Sequence, residues 1–362
     1  MNKKLYLDIH VIQTVPPSCL NRDDTGSPKS AIYGGVQRAR VSSQSWKKAI
    51  RDMFRENLDE TELGTRTKKI VDMVAEKIVQ KSDHSYDTAM VLAEDIINKA
   101  GVSTIDKEAK ALFFMSDRQA ANLAEIALLD EKPDKKTIQA ALNSGTGIDI
   151  ALFGRMVADD PSLNTDASAQ VAHAISTHRV DNEYDYFTAV DDRAPEDNAG
   201  AGMIGTIEYN SATLYRYATV AVHELNEQLA NDNQAVLHAL EVFIRAFITS
   251  MPTGKQNTFA NRTPADAALI CLRTDQPINL VGAYEEAIEL GREESGYVKP
   301  SIVRLAKYSQ SVISGFIVAP AHSWSIGSDF NGLAEQSDLS STLSLIKASI
   351  EAELFKTVAY GG

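Results

Sequence analysis

The chain has 362 residues, of which 44% are hydrophobic and 23% charged, with a formal net charge of −13. That length buries a substantial core, and this composition excludes wholesale disorder. No apolar run reaches a membrane span, nothing near the start resembles a signal peptide, and two distant cysteines, Cys19 and Cys271, suit a reducing cytoplasm better than a disulfide scaffold.

Leu5, Leu7, Ile9 and Val11 alternate with Tyr6, Asp8 and His10, which predicts a half-buried strand ending at Pro16-Pro17. A polar, turn-rich loop then runs to Gly34-Gly35, and Val36–Val41 reads as a short strand. Ser42 or Ser43 is a good N-cap for the helix that follows, whose apolar stripe is Trp46, Ala49, Ile50, Met53 and Phe54. Between about Arg66 and Ser144 the pattern is helical: Ile70, Val74 and Ile78 share a face, Ala89–Ala100 stops at Gly101, and Ser116-x-x-Gln119 forms a capping box. Ile148–Val157, after the Gly145-Thr146-Gly147 turn, reads as a strand. Phe187–Val190, an acidic small-residue stretch and the alternating Thr206–Val222 predict a projecting hairpin, with Thr213, Tyr215, Tyr217 and Thr219 on one face. Helices are expected at Gln234–Thr249, Pro300–Ile313 and Thr342–Phe355, with a strand at Ala267–Arg273. The mixture is α+β, with a helical insertion between two parts of a sheet-containing core.

The most informative segment is PKSAIYGGVQRARVSSQSWKKAIRDMFREN. From Lys29 to Arg55 it holds seven basic residues and one acid, Asp52. Phosphates respond to local potential, so an acidic total does not exclude a nucleic-acid partner. Ser42, Ser43 and Gln44, with the amides of a helix start, are candidates to hold phosphate oxygens. Lys47 and Arg51 follow one and two turns on, Lys48 lies beside them, and Arg38 and Arg40 approach from the strand. The competing reading is a solvated basic face, but such faces usually intersperse both signs.

Other patterns carry less. Gly200–Gly205 is a formal G-x-G-x-x-G, but an acidic loop precedes it and a Thr/Tyr-rich strand follows, so the dinucleotide reading fails. Its Met203-Ile204 pair fits a hairpin tip that inserts an apolar wedge. Ser45-x-x-Lys48 lacks the S-D-N and K-T-G partners of acyl-serine enzymes. The seven histidines lack metal spacing; His173 and His178 lie five apart, off a helical face. Asp191 and Asp192, near Asp181, Glu183 and Asp185, could hold a divalent metal for phosphodiester cleavage or simply be solvated surface.

Several motifs occur together in order: SCLNRDD (Ser18–Asp24), GG-x-x-R-x-R-V-SSQS-x-K (Gly34–Lys47), GRM (Gly154–Met156), AHAISTH (Ala172–His178), FTAVDD (Phe187–Asp192) and PTGKQNTFA (Pro252–Ala260). In them the chain resembles CasC, the backbone subunit of type I-E CRISPR Cascade complexes. The resemblance implies a palm of RNA-recognition (ferredoxin-like) type, a helical finger insertion and a β-hairpin thumb. The expected divisions are palm at 1–55, finger at 56–145, a return at 146–185, thumb at 186–222, and second palm part with C-terminal helices at 223–362. It implies a non-enzymatic protein with neither cofactor nor metal. Its partners would be CRISPR RNA, target DNA through guide pairing, further copies of itself and other Cascade subunits. By motif, Arg22, Lys29, Ser42, Gln44, Lys47 and Arg51 would contact guide phosphates, with Lys255 and Gln256 contributing from PTGKQNTFA. Met156, Phe187, Thr188, Met203 and Ile204 would flank a displaced nucleotide. Val36 and Gln37 stand where the family often carries basic residues, so no contact carries over to them. The rivals are a metal-dependent target nuclease using Asp191 and Asp192, and a stand-alone single-strand RNA-binding protein.

Overall fold

The structure, a computed structural model, describes residues 4–131, 133–157, 160–189, 203–292 and 294–355. Its centre is strand β1, Tyr6–Ser18, which lies antiparallel between Met203–Ala221 and Ala267–Arg273. Beyond Met203–Ala221 the sheet continues through Ala174–Ser176 to two further strands, β2 (Ser30–Tyr33) and β3 (Val36–Val41). Beyond Ala267–Arg273 it continues to His322–Ile326 and Glu335–Gln336.

Alternation along β1 is as expected, but the strand is buried on both faces. Leu7, Ile9 and Val11 join a core with Trp46, Phe54, Phe243 and Phe247. Ile12 joins Tyr215, Tyr217, Tyr284 and Leu305 on the opposite side. Asp8 and His10 are therefore buried rather than solvated, and they survive there by bonding: Tyr217 donates to Asp8 at 2.9 Å, and His10 Nδ1 meets Tyr215 Oη at 2.9 Å. Pro16-Pro17 does not end the strand. It continues to Ser18 with a register shift between Val15 and Ser18, where the missing proline N–H groups interrupt the ladder.

Gly34-Gly35 closes a hairpin between β2 and β3, both glycines having positive φ (59° and 78°), so strand β2 occupies part of the stretch expected to be loop. Helix α1, Ser43–Asn57, follows with Ser42 as its N-cap. Arg216, on Met203–Ala221, fixes that helix from beneath: its guanidinium lies 3.6 Å from the Trp46 ring centre and donates to Gln13 Oε1 and Phe247 O. Burial lowers its pKa to about 9.

The helical stretch builds a core of its own. Helices Ile70–Lys81, Tyr86–Ala100, Asp117–Ala127 and Lys135–Asn143 bury Ile70, Val74, Ile78, Ile97, Leu123 and Ile138 together. Gly101 ends the second of these with φ 106°, and the Ser116/Gln119 capping box opens the third. The short strands Gly64–Thr67 and Phe113–Ser116 pair antiparallel within this stretch.

The predicted strand Ile148–Val157 is a correction. Ile148–Phe153 is a helix started at Gly147 and stopped by Gly154 at φ 77°. Ile148, Asp149, Ile150, Ala151 and Leu152 are all buried, so their surroundings impose no strand-like alternation. The late helices run Asn233–Thr249, Val298–Gly315 and Leu339–Phe355. Among the described residues, no helix is long and apolar enough to cross a membrane.

A candidate nucleic-acid interface at the start of the first helix

Asn21 organises the loop beside the helix start. Its side-chain oxygen accepts from Ser42 N–H at 2.8 Å and its carbonyl from Lys29 N–H at 2.8 Å. Lys29 O in turn accepts from Arg40 N–H at 2.9 Å, so loop, strand and helix start form one unit. Ser42 is buried, and its hydroxyl accepts from Ser45 N–H at 3.3 Å. Its hydroxyl thus caps the helix, a bond worth about 1 kcal/mol, instead of facing a ligand.

Ser43, half-buried, and Gln44 follow in the first turn of the helix. Gln44 is exposed, and its side-chain oxygen accepts from Ser43 Oγ at 3.4 Å. Ser43 N–H donates to His173 Nδ1 at 3.4 Å, and Arg40 Nη1 lies 3.3 Å from the same nitrogen while Arg40 Nε donates to Ser30 O. One turn along, the Lys47 ammonium lies 5.5 Å from the Phe153 ring centre, and burial lowers its pKa. No carboxylate pairs with Lys47 among the described residues. Lys29, Arg40, Ser43, Gln44 and Lys47 thus surround a helix start that favours anions.

Other predicted contacts are already occupied within the protein. Arg38 is fully buried (0% exposed), and its guanidinium donates to Ser176 O, Tyr284 O and Glu285 O, so it is a structural tie and the expectation of a phosphate contact is corrected. Arg38 and Arg40, two residues apart, share a face of β3, but the Tyr284–Glu285 segment takes up Arg38 while Arg40 stays partly exposed. Arg51 pairs with buried Asp149 at 3.1 Å, reaches Gly64 O and covers the Phe114 ring at 4.4 Å. Asp149 also accepts from Gly64 N–H at 2.7 Å, and burial raises its pKa despite these partners. Lys48 pairs with Asp52 at 2.5 Å on the exposed side.

Arg22 and Lys48 line a cleft of about 590 Å³ with Asp23, Asp52 and Gly254. Gly254 packs so closely that a Cβ there would stand 2.1 Å from Leu20 O, which seats the loop carrying Lys255 and Gln256 against this wall. Lys255 itself has φ 46° and sits where its charge favours the Cys19 thiolate, as does that of Arg22, although burial is the larger effect and raises that pKa.

Met156 is 87% exposed. Its neighbour Arg155 is buried, donating to Leu163 O at 3.0 Å and Asn143 Oδ1 at 2.9 Å, with its pKa lowered to about 10 by burial. Arg155 anchors the chain while Met156 projects. In the hairpin, Phe187 pairs with Gly205 and Thr188 with Ile204, and a Cβ at Gly205 would stand 2.4 Å from the Phe187 ring. Met203 opens the return strand opposite Ala189, and strand rather than helix follows Gly205, as its Thr/Tyr-rich alternation predicts. Asp191 and Asp192 lie outside the described residues.

Sequence reasoning missed His173 in this site. It weighed the histidines only as metal ligands, whereas His173 belongs to AHAISTH, and that motif was the available signal.

A sequence model of the CT1975-like protein family matches residues 7–351. No curated protein matches the chain at a significant level. Among solved structures, a chain of a "CRISPR RNA-guided surveillance complex, pre-nicking" superposes with TM-score 0.80 at 30% identity, covering 95% of this chain and 99% of that one. A chain of another CRISPR RNA-guided surveillance complex gives TM-score 0.69 at 26% identity, covering 94% and 99%. By the family match and these structural likenesses, the chain belongs to the CT1975-like family, the CasC-like backbone subunits of CRISPR Cascade surveillance complexes.

Proposed function

We propose that this chain is a non-catalytic subunit that stacks with further copies of itself along CRISPR RNA, holds the guide's phosphates and leaves its bases free to pair with target DNA. The observation that carries this reading is the likeness, over nearly the full length of both chains, to a subunit of an RNA-guided complex. The site chemistry supports it. The helix-start amides of Ser43 and Gln44, with Lys29, Arg40 and Lys47, suit phosphate oxygens and offer no base-edge reading, as a subunit serving any guide requires. Arg22, Lys255 and Gln256 would extend that contact along the cleft wall.

In this reading the sheet is a palm of RNA-recognition type, the helical stretch a finger and the projecting part of the hairpin expected at 186–222 a thumb, its return strand running on into the sheet beside β1 from Asn210. Met156 from the finger side, with Phe187, Thr188, Met203 and Ile204 from the thumb, would flank one displaced nucleotide. Apolar wedges of this kind tolerate any sequence because every base has a stacking face. Other Cascade subunits would complete the particle. Expressing the chain with its complex and a CRISPR transcript, then sizing the co-purifying RNA, tests the proposal. A uniform processed guide is expected, and heterogeneous RNA would favour a stand-alone single-strand binder. Incubating the complex with complementary RNA and magnesium tests the nuclease alternative, which cleavage lost in D191A or D192A would favour.

A further inference from the structure

The Nδ1 of His173 receives two donors, Ser43 N–H at 3.4 Å and Arg40 Nη1 at 3.3 Å, that a phosphate oxygen would also accept. A nitrogen accepting both carries no proton, so the ring hydrogen sits on Nε2. His173 is exposed, so a polyanion can reach it. We propose that His173 is a further binding residue of this site, a stand-in acceptor that a phosphate of single-stranded RNA displaces. The phosphate oxygen takes the two donors; the freed Nδ1 then takes one proton from solvent and donates a hydrogen bond to the same phosphate. RNA binding is thereby coupled to uptake of one proton. The inference rests on the RNA-binding reading above.

The surroundings give the coupling its direction. Burial, then Arg40 from β3, then Lys29 from the preceding loop hold the His173 pKa below its ordinary value, so the ring is neutral in the free protein near pH 7. From α1 the Ser43 amide faces it, and its chain neighbours Ala172 and Ala174 bring no charge. A bound phosphate would offset both cations and favour the imidazolium. Protonation is then stronger in the complex than in the free chain, and affinity must rise as pH falls.

Binding of fluorescein-labelled oligouridylate to the full-length chain at constant ionic strength, at pH 8, 7 and 6, tests this. Affinity should rise by up to about tenfold per pH unit, the limit for one proton. H173N places an acceptor near the position of Nδ1 but cannot take up the proton, so it should bind at pH 8 and lose the pH dependence. H84A, altering an exposed histidine outside the site, should keep it, and H173Q serves should H173N fail to fold. A flat wild-type profile, or an unchanged rise in H173N, overturns this inference alone. Absence of binding at every pH overturns the RNA reading along with it.

Discussion

The R51A substitution separates a structural ion pair from a phosphate contact. Arg51 is 18% exposed and Asp149 3% exposed at the side chain, with 3.1 Å between Nε and Oδ2. Removing the cation leaves Asp149 with Gly64 N–H as its donor from outside its own helix turn among the described residues, a buried carboxylate without its counter-charge. Breaking a buried pair in this way costs about 3 kcal/mol or more. The loss should depend on pH with a definite sign. Burial already raises the Asp149 pKa, and without Arg51 it rises further. A carboxyl whose folded-state pKa lies above its unfolded value loses stability as pH rises through that interval, so R51A should be more damaging at pH 8 than at pH 5. R51A/D149N, which removes the buried charge while keeping an oxygen for Gly64 N–H, should recover most of the loss. Urea unfolding at the two pH values measures all of this. An R51A protein within about 0.5 kcal/mol of wild type, the ordinary range for surface changes, would refute the structural assignment. A lowered RNA affinity in such a variant would return Arg51 to the phosphate contacts.

K47A should unfold like wild type within about 1 kcal/mol, because Lys47 is unpaired among the described residues, yet weaken binding to single-stranded RNA. Its salt slope should fall by about 0.7 for one lost phosphate contact, and an unchanged slope would place Lys47 in solvent. R38A should cost about 3 kcal/mol by urea unfolding, since three carbonyls lose their donor inside the protein, and a stable R38A with impaired RNA binding would contradict the burial described. M156A should leave stability unchanged and impair guide positioning, read as slower target hybridisation by assembled complex; normal hybridisation would remove Met156 from the displaced-nucleotide pocket. Burial depresses the His10 pKa to about 3, so its contribution to stability is present above pH 6.5 and lost on acidification towards pH 3, a loss that thermal melting should show diminished in H10Q.

Much of the architecture was legible because local chemistry and tertiary demand agree. Ser42 caps a helix whose apolar residues recur at helical spacing, Gly101 ends another, and Val36–Val41 and Ala267–Arg273 appear with the expected bounds. Reading failed where the surroundings are apolar or bonded on every side. Ile148–Phe153 has too few residues for a periodicity to emerge, and its buried Asp149 makes sense only once Arg51 and Gly64 are beside it. The site shows the same division. Net basicity located the segment, but charge alone cannot say which cations are already satisfied. Arg38 and Arg40 share one face of a strand, and only the carbonyls of Ser176, Tyr284 and Glu285 reveal that Arg38 is covered and already satisfied. His173 lies far away in sequence, so its convergence on Ser43 and Arg40 required the fold.

The most direct measurement is the nucleic acid that accompanies the native chain. When the protein is isolated with its complex, sequencing and sizing should return one short RNA length carrying CRISPR-derived guides, released by K47A at lower salt than from wild type. Protein that emerges free of RNA and does not assemble on a supplied CRISPR transcript would contradict the account.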